Sequence, residues 1–152
     1  MKLLELQQII DPEQTLFNFG SMRDTRVLEA VLGREVKVED LQPAYLRAWR
    51  TMKVEGEMFP ALAKTGNMDS VVEGTLAINL TEDDMKRIDF YEDGLYGLEL
   101  LPIHTAGGMT YAQVYAFNSG VLPISEDWDY DWYEANNTEY LADTVEFMRR
   151  FK

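Results

Sequence analysis

The sequence predicts an α+β fold with a small curved or closed sheet, on three observations. Segments of strand composition dominate the middle of the chain, with short helices between them and an amphipathic helix at the end. Two of these segments, residues 95–103 and 110–117, are joined through Gly107-Gly108, as in an antiparallel hairpin. A doubly wound parallel sheet needs a regular strand–helix alternation, which this order does not provide.

Length and composition narrow the class of protein. We expect one domain over residues 1–152, with a core at about 15–118 and an acidic, aromatic segment and helix at 125–152. The formal net charge of -13 argues against binding to nucleic acid or to anionic membranes. The absence of cysteine excludes disulfides and thiolate metal sites, and it fits a cytoplasmic location. Residues 1–10 are too short and too polar to span a bilayer, so we expect them to pack on the domain.

The first element is an extended apolar segment that starts at Thr15 and ends in the turn Phe19-Gly20-Ser21-Met22. Asp24 can cap a short helix after it, and Gly33 can end that helix. A turn of this kind leaves backbone N–H groups unpaired, and such groups can hold a carboxylate or a developing oxyanion. A Gly-Ser turn alone is a weak signal, because most strand-to-helix turns bind nothing.

Further strands are expected in the middle of the chain. Residues 45–54 have strand composition, and residues 59–62 form a short extended piece that Pro60 restricts to a sheet edge or a bulge. Residues 70–79 are the clearest strand, and Gly74 within it indicates a bulge.

Two more helices follow. Thr81-Glu82-Asp83-Asp84 has the form of a capping box and opens a helix that runs to about Tyr91 or Glu92 and ends at Gly94. The last helix starts at Asn137 or Thr138. Its apolar side is predicted to carry Leu141, Val145 and Met148.

Glu92 lies where the second helix should present an apolar residue. Met85, Ile88 and Glu92 are spaced i, i+3 and i+7 and share one face of the helix. Burial and the nearby negative end of the helix dipole would both raise the pKa of this carboxyl group, as a combined general base and acid requires. The spacing alone leaves two alternatives open: a frayed helix end that points to water, or an ion pair with Arg87 or Arg47.

Other chemistry is weakly supported. His104 is the only histidine, and we expect it at the surface near a turn. A triad of Ser21 and His104 with an acid lacks the nucleophile-elbow sequence. The acidic residues between 126 and 131 lack the glycine and terminal glutamate of a calcium loop, so we expect them in solvent. The aromatic residues among them, from Trp128 to Tyr133, are expected to pack over the core. A lid over the site is the less favoured alternative. No metal or cofactor is predicted.

Several motifs occur in an order that resembles the γ-glutamyl cyclotransferase-like superfamily, which includes the AIG2-like proteins and the γ-glutamylamine cyclotransferases. The similarity covers roughly residues 16–117. Phe19-Gly20-Ser21-Met22 corresponds to the family's Tyr-Gly-Ser/Thr-Leu turn, and Phe59-Pro60-Ala61-Leu62 corresponds to its Tyr-Pro-Ala-like segment. Val72-Glu73-Gly74 fits the valine–x–glycine strand, and Ile88-Asp89-Phe90-Tyr91-Glu92 fits the Leu-Asp-x-x-Glu helix end. Tyr96 matches the tyrosine that follows this helix, and Ala112-Gln113-Val114-Tyr115 matches the Ala-x-Val-Tyr strand.

The resemblance implies a small mixed or antiparallel β-barrel with peripheral helices. It also implies an enzyme that closes a γ-glutamyl amide into 5-oxoproline and releases an amine or amino acid, without a cofactor. Glu92 would be the acid–base residue. The residues implied in substrate binding are Phe19, Gly20, Ser21, Met22, Tyr96 and Tyr115. The partner would be a small molecule, and a homodimer remains open.

Departures from the family pattern keep other functions open. Phe19 replaces the usual tyrosine, Met22 replaces a leucine, and Leu98 stands where many relatives carry an arginine. These changes bear on the identity of the substrate, while the proposed acid–base residue is retained. The alternatives are a small-molecule-binding module of the same fold that has lost turnover, and a structural subunit that neither binds nor turns over such compounds.

Overall fold

The computed structural model describes residues 11–92, 96–117 and 123–152. These residues form helices and two antiparallel sheets, which confirms the predicted α+β class. The strands are β1 Leu16–Asn18, β2 Leu41–Arg47, β3 Trp49–Val54, β4 Pro60–Lys64, β5 Val71–Ala77, β6 Tyr96–Thr105, β7 Gly108–Phe117 and β8 Pro123–Asp127. The α-helices are α1 Thr25–Leu32, α2 Glu82–Glu92, α3 Tyr130–Ala135 and α4 Thr138–Met148.

The larger sheet has five strands in the order β1-β5-β2-β6-β7, and it curls so that its two outer strands lie against each other. The side chain of Gln113 in β7 reaches the segment that leads into β1, because its amide nitrogen donates to the carbonyl oxygens of Glu13 and Thr15, each at 3.0 Å. The smaller sheet has the order β4-β3-β8. The predicted barrel is therefore present as a curled, barrel-like sheet rather than a strictly closed one.

The stretch predicted as one strand over residues 45–54 is two strands in different sheets. Ala48 separates them with a φ of 70°, a left-handed conformation that a β-branched or bulky residue would disfavour. Its N–H donates to the carbonyl oxygen of Ser70 at 2.8 Å, and its own carbonyl oxygen accepts from Thr65 at 2.9 Å. The prediction of a continuous strand was wrong because nothing in the local composition signals this corner.

Strand β1 separates two apolar clusters. Leu16 packs with α1, α2 and α4, whereas Phe17 packs between the sheets with residues such as Leu46 and Ile103. The side chains of a strand alternate between its two faces, so the next residue, Asn18, returns to the side of the helices. This alternation places a polar side chain beside the helix that ends at Glu92.

The predicted capping box at the start of α2 is present. The Asp84 N–H donates to Thr81 Oγ1 at 3.0 Å, and the Thr81 N–H donates to Asp84 Oδ2 at 2.9 Å. Asp84 is buried and also accepts both arms of the Arg34 guanidinium, at 3.0 and 2.7 Å. Burial alone would raise the pKa of the Asp84 carboxyl group, but the bonds from Arg34 and Thr81 outweigh it and lower that pKa.

We expect Asp84→Asn to destabilise the protein by about 2 kcal/mol, because the variant loses the charge partner of Arg34 and part of the helix cap. Urea unfolding at pH 7 would measure this loss. A carboxyl group with a lowered pKa stabilises above its unfolded pKa and loses that effect as pH falls, so the difference should shrink in acid. The matched control is Asp83→Asn, an exposed neighbour in the same turn. Equal losses in the two variants would contradict this account of the cap.

The predicted bulge at Gly74 was wrong, because β5 pairs with β2 in regular register through Ala44 and Gly74. The glycine is instead explained by the close approach of β1. A β-carbon at Gly74 would overlap the carbonyl oxygen of Asn18 and lie 2.9 Å from the Phe17 ring. Gly74 thus lets the end of β1 lie close beside β5.

The C-terminal segment packs on the body of the protein. Trp128 and Tyr133 are buried, but Trp132 is 50% exposed, so the predicted packing of the aromatic residues over the core was wrong for Trp132. The acidic residues Glu126, Asp127, Asp129 and Asp131 are exposed as predicted. Helix α4 turns Thr144 and Met148 inward, but Val145 is 41% exposed, so the predicted apolar face of this helix was partly wrong.

The predictions for residues 1–10 and Gly94 lie outside the described residues. Among the helices described, none has the length and apolar character needed to cross a bilayer.

Candidate active site

A cavity of about 100 Å³ lies between the end of β1, the turn after it and the end of α2. Backbone and side chains from distant parts of the chain enclose it. They are Leu16, Phe17, Asn18, Phe19, Gly20, Ser21, Met22, Phe59, Pro60, Tyr91, Glu92, Tyr115 and Tyr140. The cavity therefore joins the two features that the sequence singled out separately, the glycine turn and the helical glutamate.

The turn after β1 is a single 3₁₀ turn over Ser21–Arg23. The N–H groups of Arg23 and Asp24 donate to the carbonyl oxygens of Gly20 and Ser21, at 3.0 and 3.1 Å. Within the described residues, the N–H groups of Ser21 and Met22 have no backbone acceptor, as is usual for the first residues of a helical turn. Two backbone donors of cavity-lining residues can therefore bind an anionic or carbonyl oxygen.

Pro60 packs closely against the glycine of this turn. A β-carbon at Gly20 would lie 3.0 Å from Pro60 Cδ and 3.2 Å from Pro60 Cγ. The proline ring of β4 therefore packs directly against the turn. Two of the sequence motifs, distant along the chain, meet in this way at one wall of the cavity.

Three hydroxyl groups connect the turn to α2 and α4. Ser21 Oγ and the Tyr91 hydroxyl are hydrogen-bonded at 2.7 Å, and the Tyr140 hydroxyl donates to Ser21 Oγ at 3.3 Å. A short hydrogen bond joins the hydroxyls of Tyr91 and Tyr140. Burial raises the pKa of both tyrosines, so both remain protonated at neutral pH and hold the serine in place.

Glu92 is the last residue of α2 and is partly buried at the cavity. Burial raises the pKa of its carboxyl group from 4.5 to about 8, and the charge of Asp89 adds to the effect. Both arginines that could have neutralised it bind elsewhere: Arg87 donates to the carbonyl oxygen of Val31, and Arg47 to that of Met68. Among the described residues, no ion pair involves Glu92. The sequence left open that Glu92 is fully solvated or is paired with an arginine. The structure shows neither arrangement among the described residues.

Tyr115 forms another wall of the cavity and is 5% exposed. Its hydroxyl donates to Asp89 Oδ1 at 3.4 Å, and burial raises its pKa. Leu98, opposite Tyr115 on β6, is 47% exposed. Leu98, one of the departures from the family pattern noted in the sequence, is thus an apolar side chain at the surface.

Most of the residues predicted for the site are brought together. Phe19, Gly20, Ser21, Met22, Glu92 and Tyr115 all line the one cavity. Tyr96 begins β6, but the prediction for its side chain lies outside what the structure describes. What each of these residues does to a substrate stays a prediction.

The competing sites are not assembled. The His104 ring stacks on Tyr45, with ring centroids 5.1 Å apart, and in the described residues no hydrogen bond joins it to Ser21. His104 is in β6, close to the β6–β7 turn. Within the described ranges, no group of three or more histidine or acidic side chains is placed to hold a metal ion.

Comparison with known proteins identifies the family. The family model described as "Gamma-glutamyl cyclotransferase, AIG2-like" matches residues 16–131, which is more than half of the chain. The chain belongs to this family. AIG2-like protein C of Arabidopsis thaliana is 23% identical over 137 residues, which cover 88% of this chain and 77% of that protein.

Solved structures support the same γ-glutamyl cyclotransferase-like fold. An Arabidopsis thaliana protein known from a solution structure superposes with a TM-score of 0.64 at 17% identity, covering 90% of this chain and 91% of that one. A structure described as a gamma-glutamyl cyclotransferase gives a TM-score of 0.57 at 11% identity, covering 90% and 84%. A mouse AIG2-like protein gives 0.55 at 16% identity, covering 76% and 88%. At these identities the likeness shows the fold alone.

The family match contains every cavity residue except Tyr140, which lies in α4 beyond its end. Sequence reasoning missed Tyr91, Tyr140 and Asn18 as cavity residues. Tyr140 had one usable signal, because Tyr140, Thr144 and Met148 are spaced i, i+4 and i+8 on one face of α4. Nothing local distinguished Tyr91 or Asn18 from ordinary helix and strand residues.

Proposed function

We propose that the protein is a γ-glutamyl cyclotransferase-type enzyme that converts a γ-glutamyl amide into 5-oxoproline and a free amine or amino acid. One observation carries the proposal. Glu92, whose carboxyl group has a pKa raised to about 8, lines the same cavity as Ser21 and Met22, whose N–H groups have no backbone acceptor among the described residues. Family membership supports the reaction class.

The reaction needs one proton carrier and one oxyanion site. The substrate's neutral α-amine attacks its own γ-carbonyl carbon, forming the ring C–N bond, and the amide C–N bond to the leaving group then breaks. Glu92 accepts the proton that the attacking nitrogen loses and returns it to the leaving nitrogen, so that atoms and charge balance without water. Because nucleophile and carbonyl belong to one molecule, proximity is provided largely by the substrate.

A pKa near 8 suits this shuttle. The group must be basic enough to accept a proton from an amine and acidic enough to give it back within one turnover. The N–H groups of Ser21 and Met22 are proposed to bind the oxyanion that develops on the γ-carbonyl or the substrate's α-carboxylate. The hydroxyls of Tyr91 and Tyr140 are proposed to keep Ser21, and with it the turn, in position.

The direct test is incubation of the purified protein with a panel of γ-glutamyl amides and γ-glutamyl dipeptides, followed by mass spectrometric detection of 5-oxoproline. We expect release from at least one compound, in equal amounts with the freed amine. Calorimetric binding of the same compounds provides the second readout. Binding of some compounds without any release would instead favour the non-catalytic module, and neither binding nor release would contradict the proposal altogether.

A further inference from the structure

Asn18, the last residue of β1, is a buried amide without a partner. Its side chain is 2% exposed, and within the described residues neither Oδ1 nor Nδ2 makes a hydrogen bond. A buried polar group that is left unpaired costs about 1–3 kcal/mol, so such groups are rare in folded proteins. An apolar residue at this position would make β1 more stable, which indicates that the amide serves something other than the fold.

The position of Asn18 indicates what it serves. Leu16 and Asn18 share the face of β1 that turns toward the helices, and both line the cavity that holds Glu92 and Tyr115. The residue that carries this unpaired donor and acceptor is therefore part of the wall of the proposed active site and not of a separate pocket. The buried Asn137 behaves differently, since it donates to Asp24 Oδ2 at 2.5 Å and accepts from Arg26 at 3.3 Å.

We propose that Asn18 is a specificity-determining residue that binds the amino-acid end of the substrate. Its Oδ1 accepts from an N–H of the α-amine, and its Nδ2 donates to the α-carboxylate. A primary amide presents one acceptor and one donor side by side, and an α-amino acid presents the complementary pair. This inference rests on the proposed function and adds how the glutamyl end is recognised and held beside Glu92.

A second consequence concerns selectivity. A site whose buried amide is satisfied only by the ligand discriminates strongly against analogues that lack the matching group, because the amide is then left unpaired again. We therefore expect the protein to reject γ-acyl amides without the α-amine or without the α-carboxylate, even though they carry the same scissile bond.

The experiment compares Asn18→Val with the parent chain, both in a Glu92→Gln background, which is expected to slow turnover enough for equilibrium binding to be measured. Calorimetry measures the binding of γ-glutamyl methylamide, of glutaric acid monomethylamide, which lacks the α-amine, and of 4-amino-N-methylbutanamide, which lacks the carboxylate. We expect Asn18→Val to weaken binding of the first compound by about 10- to 100-fold. For each truncated analogue, Asn18→Val should lower the affinity much less, because the analogue already lacks one of the two groups that Asn18 would bind.

Stability provides a readout that a structural role would not produce. Asn18→Val should raise the melting temperature of the ligand-free protein, since it removes an unpaired amide. Asn137→Val, the matched control, should lower it, since it breaks existing bonds. Should the valine variant fail to fold, Asn18→Ala removes the amide without adding volume and serves the same comparison.

The outcomes separate this inference from the proposed function. Unchanged affinity for γ-glutamyl methylamide in Asn18→Val overturns the role of Asn18, even if the wild-type protein makes 5-oxoproline. A lower melting temperature with unchanged affinity has the same meaning. Weaker binding in the variant, together with no 5-oxoproline from the wild type, supports Asn18 as a ligand-binding residue while contradicting the enzymatic proposal.

Discussion

The Glu92→Gln variant is expected to lower kcat/KM for 5-oxoproline formation by about 10³-fold, with little change in substrate affinity. Glutamine keeps the size of the side chain and its position at the end of α2, but it cannot accept a proton from the attacking amine. Steady-state kinetics with the best γ-glutamyl amide of the panel measure the loss, and calorimetry with the same compound measures affinity.

The pH dependence of the wild type follows from the same group. The base must be ionised, so kcat/KM should rise with pH through the pKa of Glu92, which burial raises to about 8. In Asp89→Asn the nearby negative charge that helps to raise this pKa is gone, and the midpoint of the profile should move to lower pH. This variant removes an exposed carboxylate three residues earlier on the same helix while Glu92 is retained, so it tests the effect of that charge on the pKa of Glu92.

The free energy of unfolding should fall as pH rises, whereas kcat/KM should rise. The pKa of Glu92 is higher in the folded protein than its ordinary value of 4.5, so the folded state holds the proton more tightly. The stability that the protonated Glu92 allows is fully present below pH 4.5, and it is lost as pH rises through about 8 and the carboxyl group ionises. Above that pH the ionised carboxylate should cost on the order of 2–4 kcal/mol, and Glu92→Gln should be more stable than the wild type by a similar amount.

Two results would contradict this account. Turnover by Glu92→Gln within a few-fold of the wild type would mean that another group carries the proton. A stability difference between the two proteins that does not change between pH 5 and pH 9 would mean that the carboxyl group titrates as it does in water. The second measurement does not depend on identifying a substrate.

The elements around the site were predictable where local chemistry determines them. Asp24 and Gly33 bracket α1, and the reciprocal bonds of Thr81 and Asp84 start α2 as the sequence indicated. These signals work because a helix end has unpaired N–H or C=O groups that a residue one to three positions away must satisfy. With the start of α2 fixed, Ile88 and Glu92 fall four positions apart on one face of the helix, and Glu92 lies at the cavity.

Features that depend on long-range packing were not predictable. The left-handed turn at Ala48 is stabilised by Thr65 and Ser70, both distant in sequence, and alanine has no preference that would signal it. Tyr140 reaches the turn at Ser21 from 119 residues away. The buried Asn18 lies beside β5, whose residues Gly74 and Thr75 are distant from it in sequence. No local pattern contains these contacts, so the composition of the cavity became known only from the structure.

The Gly74→Ala variant is expected to destabilise the protein by about 3 kcal/mol or more. The added methyl group would overlap the carbonyl oxygen of Asn18, which is backbone and cannot move aside as a flexible side chain would. The Phe17 ring, 2.9 Å away, blocks the alternative of a small tilt. Urea or guanidinium unfolding measures the loss.

Gly56→Ala is the control that separates crowding from backbone strain. Gly56 has a φ of +78° and no atom within 4 Å of the position of an added β-carbon, so its substitution should cost only about 1 kcal/mol. Because β1 must shift to accommodate a methyl group at position 74, the positions of Asn18 and the following turn should shift with it. We therefore expect the folded fraction of Gly74→Ala to bind γ-glutamyl methylamide more weakly than Gly56→Ala does. Equal stability of the two variants would show that β1 is not held as tightly against β5 as the contact at Gly74 requires.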